Sequence, residues 1–448
     1  MPEPIISISG LRGIVGSEFT PEVAIRFAAA FCSQSPPGPM VLSRDGRTSG
    51  PMLADAIAAS ITACGRDCLD LDVASTPTVG TAVRNLGAAG AIQVSASHNP
   101  PPYNGMKLFG PDGRVIPGEI GNRVLHAYRN LDTPWVYFES IGTRRAIQDP
   151  HGHHGELVLA TVDVEAIRAE RFRVLVDSNH GAGSILASRI LATLGCDVTI
   201  LGGTPDGKFS HPPEPILENL KAVGENVTAG KFDVGFCQDP DADRLAIIDE
   251  HGTYIGEEYT SVLCMMRALM QHRGPLVTNC ASSNMTSFLA AKHGVPFYRS
   301  KVGEANVVDV MLAHHALYGG EGSGGPIDPR VGLIRDSFVG MAQVLDLMAA
   351  TQQTVSQLVD TLPRMAMIKD KMTLTKEKLL ASIDHLKAQM QAEQISSEDG
   401  IRLDWSDAWL LLRASNTEPI VRLIAEAPDQ SSAEELIARA KSIMEKNP

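Results

Sequence analysis

The sequence predicts an α/β fold of four domains, in which three related α/β domains precede a C-terminal α+β domain. Three observations support this prediction. The length of 448 residues suits three or four domains that each bury a core. Strand-like apolar runs alternate with helical patterns over most of the chain, which is typical of layered α/β proteins. The C-terminal part departs from this alternation, because several strand patterns follow one another there.

The relationship among the first three domains rests on three similar stretches. Residues 41–47, 174–180 and 276–282 each lead from an apolar strand into polar residues, and an amphipathic helical pattern follows. In the first domain, Thr20 followed by Pro21 predicts the start of a helix, since threonine is a common N-cap and proline suits the first helical position.

The predicted domains span residues 1–153, 154–254, 255–366 and 367–448. The polar, histidine-rich stretch 149–155 predicts the first linker, and changes of pattern at 252–257 and 361–371 indicate the other boundaries. In the last domain we expect a strand, a helix over 376–391, three strands between 400 and 427, and a final helix opened by a capping box of Ser432 and Glu435.

The composition disfavours several classes of partner and site. The 52 acidic and 39 basic residues give a net charge of −13, which disfavours nucleic acid or an anionic membrane as the main partner. No apolar run reaches membrane-spanning length, and the N-terminal residues lack a signal-peptide pattern. The seven cysteines are scattered, so neither a disulfide framework nor a CxxC zinc site is indicated. We therefore expect a cytoplasmic protein.

The most informative segment is residues 94–109, VSASHNPPPYNGMKLF, which places the hydroxyl of Ser97 on a tight loop after an apolar strand. Much later in the chain, Asp239, Asp241 and Asp243 stand at alternate positions and Arg244 follows them. Alternate carboxylates in a loop can turn several oxygens toward one centre, an arrangement that suits hard cations such as Mg²⁺.

Two other interpretations of the aspartates are a solvated acidic turn and a calcium EF-hand. The EF-hand fails because Arg244 stands where its sharp turn needs glycine, and because residues 245–249 have a strand pattern. The pair of segments suggests a phosphorylated Ser97 that faces a divalent cation, with Ser97 among the ligands and Arg244 balancing charge. Lys107 could act as the base if its pKa were lowered, and His98 is the second candidate.

These residues resemble the α-D-phosphohexomutases, which interconvert 6-phospho and 1-phospho sugars. Residues 96–100, ASHNP, with NGMK at 104–107, are similar to the phosphoserine loop of that family, and residues 239–244 to its DxDxDR metal loop. Residues 9–13, SGLRG, resemble its SGxRG motif, which makes Arg12 a candidate neighbour of the phosphoserine.

The resemblance also implies a fold and cofactors. It implies mixed sheets in the first three domains, a last domain like the TATA-binding protein, and a central cleft. It further implies Mg²⁺, a hexose bisphosphate that serves as activator and intermediate, a small phosphosugar as substrate, and a monomer or homodimer.

Residues 319–325, GGEGSGG, resemble the sugar-binding loop of the family, in which Glu321 and Ser323 would bind sugar hydroxyls. Gly325 stands where many members have histidine, and this form of the loop is similar to the archaeal-type branch often associated with phosphoglucosamine mutase. The loop also contains a literal GxGxxG, but Pro326 and Pro329 follow where a dinucleotide-binding helix would begin.

Residues 413–419, RASNTEP, supply arginine, hydroxyl and amide donors that suit a phosphate dianion. The segment resembles the phosphate-binding loop of the family, with Asn416 in a glycine position; a capped turn between strands is the other interpretation. The resemblance implies a phosphate site made by Arg413, Ser415, Asn416, Thr417 and Arg422.

We therefore expect an isomerase, with glucosamine phosphate favoured as its substrate by the form of the sugar loop alone. Mannose and glucose phosphates are the alternatives. No residue identifiable in the sequence would recognise an amino group at the second sugar carbon. A sugar-phosphate phosphatase and a sugar-phosphate-binding protein without turnover are more remote alternatives. A kinase is disfavoured because no GxxxxGK[ST] loop occurs.

Overall fold

The computed structural model describes residues 3–7, 9–130, 134–414 and 420–446. The strands of these residues form four sheets, three of mixed direction and one antiparallel, in chain order. The first three sheets carry helices of their own unit, as the predicted α/β class requires, and the fourth sheet with its two helices has the predicted α+β composition.

The first unit contains a seven-stranded mixed sheet in the order β1-β2-β6-β5-β3-β4-β7. Its strands are β1 (Ile5–Ser7), β2 (Gly10–Ile14), β3 (Met40–Arg44), β4 (Cys68–Val73), β5 (Gly90–Val94), β6 (Tyr103–Phe109) and β7 (Arg144–Ala146). Its helices are α1 (Pro21–Gln34), α2 (Gly50–Ala63), α3 (Thr76–Asn85) and α4 (Gly118–Arg129). The predicted start of α1 is confirmed, because the Thr20 side chain accepts from the Val23 N–H.

The second unit contains a four-stranded sheet in the order β11-β10-β8-β9. Its strands are β8 (Arg173–Asp177), β9 (Asp197–Leu201), β10 (Val234–Gln238) and β11 (Leu245–Ile248), and its helices are α5 (Gly152–Leu159), α6 (Val164–Glu170), α7 (Gly183–Thr193) and α8 (Leu217–Gly230). The loop with the three aspartates joins β10 to the antiparallel β11, which confirms the strand expected there.

The stretch 149–155, predicted as the first linker, follows strand β7 of the first unit and includes the start of a helix of the second. Helix α5 begins at Gly152, inside that stretch, and His154 is fully buried. A polar side chain can be buried here because His154 satisfies both ring nitrogens inside the protein, with Thr78 at 2.9 Å and Asp336 at 2.7 Å.

The third unit contains a four-stranded sheet in the order β13-β12-β14-β15. Its strands are β12 (Leu276–Asn279), β13 (Phe297–Ser300), β14 (Tyr318–Glu321) and β15 (Gly325–Ile327), and its helices are α9 (Glu257–Gln271), α10 (Met285–His293), α11 (Glu304–Ala313), α12 (Ser337–Thr351) and α13 (Val355–Asp360). The glycine-rich loop leads into strand β15 and not into a helix, so the dinucleotide-binding alternative is wrong.

The fourth unit contains a five-stranded antiparallel sheet in the order β16-β20-β19-β18-β17. Its strands are β16 (Ala366–Thr373), β17 (Gln394–Ser396), β18 (Ile401–Asp404), β19 (Trp409–Ala414) and β20 (Ile420–Ala427), and its helices are α14 (Lys376–Met390) and α15 (Gln430–Lys446). The expected helix and three strands are present, whereas the short, exposed β17 was not expected. The capping box is wrong, since α15 begins before Ser432 and the Asp429 carboxylate accepts from the Ser432 N–H.

The second and third units share one hydrophobic core. Helix α12 is buried along almost its whole length and packs against α9 of its own unit and α6 of the second unit. Separate cores lie in the first and fourth units. Within the described residues, no helix is both long enough and apolar enough to cross a membrane.

Candidate active site

Several strands of the first three units end at one cleft. The Ser97 loop follows β5, the aspartate loop follows β10, and Glu321 closes β14, while Lys107 lies within β6. Strands β5, β10 and β14 each pair in parallel with a neighbour of their own sheet, and ligands of such sheets bind outside the carboxyl ends of the strands. The fold therefore brings together residues that are far apart in sequence.

Ser97 adopts an unusual backbone conformation for a residue with a side chain, with a φ of 49°. Its side chain is buried, and its Oγ donates to Asp239 Oδ2 at 2.7 Å. His98 Nδ1 lies 3.3 Å from the same Oγ. Strained backbone of this kind persists where the surroundings fix it, and here it directs the hydroxyl toward the aspartate loop.

Arg47 binds the backbone of the Ser97 loop, a role that the sequence analysis did not predict. It lies at the end of the first of the three similar stretches, and its guanidinium is held by Asp45. It donates at 2.5 to 3.0 Å to four backbone carbonyls of the loop, those of Ser97, Asn99, Pro100 and Tyr103. A deeply buried arginine with all these acceptors holds the serine loop in one conformation.

The three aspartates of the β10–β11 loop converge. One carboxylate oxygen from each of Asp239, Asp241 and Asp243 lies within 4.8 Å of the other two, and all three side chains are fully buried. Ala242 has a φ of 55°, which turns the chain so that alternate side chains meet. Among the described residues, Asp241 Oδ1 and Asp243 Oδ1 accept no hydrogen bond although they are buried. Orphaned carboxylate oxygens of this kind fit a hard divalent cation.

The charges of the cluster are strongly coupled. Burial, together with the neighbouring Asp243 and Asp241, raises the pKa of Asp239 well above its ordinary value. Burial also opposes ionisation of Asp241, but Lys107 and hydrogen bonds, one of them from Thr76, hold its pKa below the ordinary value. Crowded carboxylates repel one another, so a cation among them would favour their ionised forms.

Lys107 does not meet the condition set for it as a base. Its Nζ lies 2.5 Å from Asp241 Oδ2 and 2.9 Å from Asp243 Oδ2. Burial lowers the pKa of Lys107, but these two carboxylates outweigh burial and the pKa is raised. The side chain is therefore an ammonium here, and its positive charge would repel a cation bound by the same carboxylates.

His98 is uncharged at neutral pH. Burial, followed by the positive charges of Arg244 and Arg12, lowers its pKa to about 3. A neutral imidazole beside Ser97 can exchange a hydrogen bond with the hydroxyl, whereas its low basicity weakens it as a proton acceptor.

Two arginines predicted from motifs flank the cluster. Arg12 donates to Asn99 in the serine loop at 3.1 Å, and burial lowers its pKa against the attraction of Asp241 and Asp243. The Arg244 backbone N–H donates to Asp239 Oδ1 at 3.1 Å, and its guanidinium lies 4.0 Å from Asp243. Both side chains therefore add positive charge around the aspartates.

Glu321 and Ser323 belong to the same cleft. Glu321 Oε1 accepts from Asn279 Nδ2 at 2.9 Å and from the Gly303 N–H at 3.2 Å, and its Oε2 lies 3.1 Å from an Arg335 nitrogen. Arg335 also donates to the Ser323 hydroxyl at 3.5 Å. The predicted sugar-binding residues thus meet at one guanidinium.

Sequence reasoning missed Arg335 and Glu304. The Arg335 guanidinium lies 2.7 Å from Asp243 Oδ2 and 2.7 Å from Glu304 Oε2, so it joins the aspartate loop to the sugar loop. Glu304 begins α11, and its Oε1 is buried without a hydrogen-bond partner in the described part of the chain. Burial raises its pKa to about 7, despite the opposing effect of Arg335. Neither residue belongs to a motif, although each stands at the start of a helix.

The cations predicted in the fourth unit line up across its sheet. Arg413 of β19 pairs directly with Arg422 of β20, which pairs on its other side with Lys371 of β16. Residues directly opposite one another share a face of an antiparallel sheet, and like charges so placed repel. Such a row fits an anion. Ser415, Asn416 and Thr417 lie outside the described residues.

The row is joined to the rest of the cleft through Asp399. Asp399 Oδ1 accepts from Arg413 Nε at 2.8 Å, and its Oδ2 accepts from the Val302 N–H at 2.9 Å. The next N–H, that of Gly303, is the one that reaches Glu321. No direct contact joins Arg413 to Ser97, Lys107 or the aspartates among the described residues.

Four phosphoglucomutase/phosphomannomutase domain families match the chain, one after another along the sequence. α/β/α domain I matches residues 5–134, domain II residues 154–252 and domain III residues 257–365, and the C-terminal domain matches residues 368–442. Together they cover most of the chain.

Relatives match over nearly the full length. A phosphoglucomutase/phosphomannomutase of Thermococcus kodakarensis is 35% identical over 445 residues, which cover 97% of each chain. A phosphoglucosamine/phosphogalactosamine mutase of Sulfurisphaera tokodaii is 30% identical over 451 residues, which cover 98% of this chain and 99% of the relative. A crystal structure of a phosphoglucomutase/phosphomannomutase family protein from Burkholderia thailandensis is 25% identical, with a TM-score of 0.86 and 98% of both chains covered.

Proposed function

The chain belongs to the phosphoglucomutase/phosphomannomutase family of phosphohexomutases, and we propose that it interconverts the 6-phosphate and 1-phosphate of glucosamine. The observation that carries the mutase chemistry is the hydrogen bond between Ser97 Oγ and Asp239. It puts a buried hydroxyl beside an acidic cluster that has orphaned oxygens, and phosphoryl transfer needs a carrier oxygen next to charge neutralisation.

In the proposed reaction, phosphorylated Ser97 gives its phosphoryl group to the free hydroxyl of a bound sugar monophosphate. The bond between phosphorus and the serine oxygen breaks, a bond to the sugar oxygen forms, and the proton of that hydroxyl leaves. The bisphosphate then turns end for end and returns its other phosphoryl group to Ser97. In each of the two transfers the attacking hydroxyl loses its proton and the oxygen that gives up the phosphoryl group takes up a proton, so the cycle is balanced.

A divalent cation, Mg²⁺ in our proposal, would be held by Asp239, Asp241, Asp243 and the oxygen on Ser97, and would neutralise charge on the transferring phosphoryl group. Arg12 and Arg244 add donors to phosphoryl oxygens from either side of the loop. Lys107 is our candidate for the group that accepts the hydroxyl proton. It can do so only once its two salt bridges are released, because they hold it as an ammonium.

Because the bisphosphate binds in two orientations, the cleft needs one site for the sugar hydroxyls and a separate site, the anchor, for the phosphate that does not react. Glu321 and Ser323 are proposed to bind sugar hydroxyls. Arg413 and Arg422 are proposed to bind the phosphate that does not react, together with Ser415, Asn416 and Thr417, which follow Arg413 in the sequence. Asp399 contacts both Arg413 and the backbone of Val302, and the next N–H, that of Gly303, donates to Glu321 of the sugar loop, which supports closure of the last domain over the substrate.

The choice of an amino sugar is supported by Glu304. Its buried Oε1 lacks a partner among the described residues, and it lies in the same cluster as Glu321. An ammonium group on the second sugar carbon would supply both a donor and a positive charge to that oxygen. The name of the Sulfurisphaera relative is consistent with a substrate of this class.

The decisive experiment compares turnover of glucosamine, mannose and glucose 6-phosphates by the purified protein, with Mg²⁺ and a catalytic amount of the matching hexose 1,6-bisphosphate. We expect the highest kcat/KM on glucosamine 6-phosphate. Ser97→Ala should abolish interconversion and isotopic labelling from the bisphosphate, because the carrier oxygen is gone. Conversion by this variant at the wild-type rate, or release of inorganic phosphate as the main reaction, would refute the mutase mechanism.

A second candidate is interconversion of mannose and glucose phosphates. The 35% identity to the Thermococcus phosphoglucomutase/phosphomannomutase favours it. A higher kcat/KM on mannose or glucose 6-phosphate than on the amino sugar would select this function and would leave the roles proposed for Ser97 and the aspartates unchanged.

We further propose that the enzyme works in the cytoplasm on a small phosphosugar. All seven cysteines lie in the described part of the chain and are unpaired, which is the state that a reducing compartment maintains.

A further inference from the structure

Arg335 stands at the centre of the cleft and belongs to none of the motifs of this chain. Its guanidinium donates through Nη2 to Asp243, through Nε to Glu304 and through Nη1 to Glu321, at 2.7, 2.7 and 3.1 Å. Only 13% of the side chain is exposed. Burial disfavours its charge, but Asp243, Glu304 and Glu321 outweigh burial and raise the pKa of Arg335 well above its usual value.

Gly325 makes room for this arginine. A Cβ atom on residue 325 would lie 2.7 Å from Cγ and 3.0 Å from Cβ of Arg335, and closer still to its Cδ. Residues with side chains do not tolerate such approaches, so any larger residue at 325 would displace the Arg335 side chain. Gly325 is paired in the β14–β15 hairpin, opposite Glu321 itself. The absence of a side chain at Gly325 therefore leaves space for the Arg335 side chain where it extends toward Glu321.

The backbone at Arg335 is fixed independently of the cleft. The next residue, Asp336, caps α12 by accepting from the N–H groups of Phe338 and Val339, and it also accepts from His154. The arginine is thus presented from a rigid helix start, with its guanidinium directed away from the helix and toward the carboxylates.

We propose that Arg335 is a positioning residue for phosphoryl transfer, which holds the sugar-binding Glu321 and the metal-binding Asp243 at a fixed separation in the space that Gly325 leaves. The inference rests on the proposed function. Glu321 belongs to the third unit and Asp243 to the second, and Arg335 contacts both carboxylates with different nitrogens of one planar group. A rigid fork of this kind sets the distance between the sugar and the reacting phosphoryl group.

This role has a signature that a purely structural salt bridge lacks. Removing the guanidinium takes one of two cations away from Asp243 Oδ2 and leaves only Lys107 there, so the aspartates lose a positive charge and Mg²⁺ should bind at least as tightly as before. Turnover should nevertheless fall, because the sugar is no longer held in register. A structural defect would weaken metal binding and turnover together.

The first test compares Arg335→Ala and Arg335→Lys with the wild type and with Arg114→Ala. Arg114 is a matched control, because it makes an ion pair at 2.5 Å between the first and third units, with Asp309, outside the cleft. We expect Arg335→Ala to lower kcat/KM by about 100-fold, the scale of a misplacement near 1 Å, with the larger part in kcat. Arg335→Lys should recover a minority of this loss, and Arg114→Ala should change kcat/KM less than twofold.

Calorimetric titration with Mg²⁺ alone supplies the second readout. The inference predicts that Arg335→Ala binds Mg²⁺ with equal or higher affinity than the wild type. It is overturned if kcat/KM of Arg335→Ala stays within twofold of the wild type, or if the Mg²⁺ affinity falls in parallel with turnover.

Gly325→Ala keeps the inference testable even if Arg335→Ala fails to fold. It should reproduce the kinetic loss in the wild-type background, because the new methyl group displaces Arg335. In a protein that already carries Arg335→Ala or Arg335→Lys, the same substitution should cost much less. Equal costs in both backgrounds would overturn the inference. Wild-type protein that interconverts no hexose phosphate would instead refute the proposed function, so the two failures are distinguishable.

Discussion

His154 Nε2 donates to Asp336 Oδ2 at 2.7 Å, and this buried hydrogen bond joins the second unit to the third. The other ring nitrogen of His154 lies 2.9 Å from the hydroxyl of Thr78 in α3, so the histidine reaches the first unit as well. Helix α3 begins with Thr76, which donates to Asp241, and Asp336 directly follows Arg335. A single imidazole therefore ties together the three units that build the cleft.

The first prediction concerns this tie. His154→Ala should lower the free energy of unfolding by about 2–3 kcal/mol, because it removes a buried ring and leaves Asp336 and Thr78 short of a partner. Urea denaturation measures the change. His153→Ala is the matched control, since that neighbouring side chain is 43% exposed, and its effect should stay below about 0.5 kcal/mol. Equal effects of the two substitutions would contradict the assignment.

The second prediction concerns the cation. Asp241→Asn should weaken Mg²⁺ binding by about tenfold or more, because an amide replaces a charged ligand whose Oδ1 is buried and unpartnered among the described residues. Calorimetric titration with Mg²⁺ alone measures the affinity without relying on turnover.

The control for this experiment is Asp249→Asn. Asp249 follows the return strand of the same loop and uses its Oδ1 to accept from the backbone of His251 and Thr253, a role that an asparagine oxygen can take over. Its Mg²⁺ affinity should match that of the wild type. An unchanged affinity of Asp241→Asn would exclude Asp241 as a ligand.

The third prediction concerns the row of cations in the fourth unit. Arg422 lies between Arg413 and Lys371 across three adjacent strands, so Arg422→Ala relieves repulsion. We expect the unfolding free energy to stay constant or to rise by a few tenths of a kcal/mol, while KM for the sugar phosphate rises by about tenfold or more.

An unfolding free energy that does not fall, combined with a higher KM, distinguishes a binding site from a cluster that serves only the fold. Lys441→Ala, which removes an ion pair with Asp370 in the same unit, should leave KM unchanged. A clear loss of stability in Arg422→Ala, without any change in KM, would show that the row serves the fold and not the substrate.

The sequence predicts residues whose role is local and misses those whose role arises from packing. Ser97 and the aspartates were found because tight loops bring their functional groups together over a few residues. Arg335 and Lys371 are contributed by elements that meet Asp243 and Arg422 only after folding, so no spacing in the sequence marks them. Arg47 is a similar case, since its four acceptors lie about fifty residues away in the serine loop.

Two further features also depend on contacts that only the folded protein supplies. Polarity predicted a linker at residues 149–155, whereas buried partners from two other units turn His154 into part of the core. Lys107 would need a lowered pKa to act as a base, and the two carboxylates that the fold places beside it raise that pKa instead. Fold class and motif loops could be predicted, while the charge balance of the cleft required the tertiary structure.

The last prediction concerns pH and Glu258, which lies behind the sugar loop. A Cβ on Gly322 would collide with its carboxylate, and its Oε2 accepts from the Ser283 N–H at 2.9 Å. Burial raises the pKa of Glu258 to about 7, although Lys369, 4.0 Å away, and the Ser283 hydrogen bond oppose the shift. The folded protein therefore favours the neutral acid more than the unfolded chain does.

The direction in which folding stability changes with pH follows from this difference in pKa. An acid whose pKa is raised by folding contributes stability that is fully present below the unfolded pKa, near 4.5, and is lost as the pH rises through about 7. Glu258→Gln mimics the neutral form, so above pH 7 it should be more stable than the wild type, by about 3 kcal/mol, and the gain should vanish near pH 4.

Urea denaturation between pH 4 and pH 9 measures this difference. Glu257→Gln is the matched control, because the neighbouring carboxylate is 29% exposed and forms an ion pair with Lys369 at 2.5 Å. Its removal should cost stability, or leave it unchanged, at high pH. A Glu258→Gln protein whose stability runs parallel to that of the wild type over the whole range would mean that Glu258 is already ionised behind the sugar loop at neutral pH.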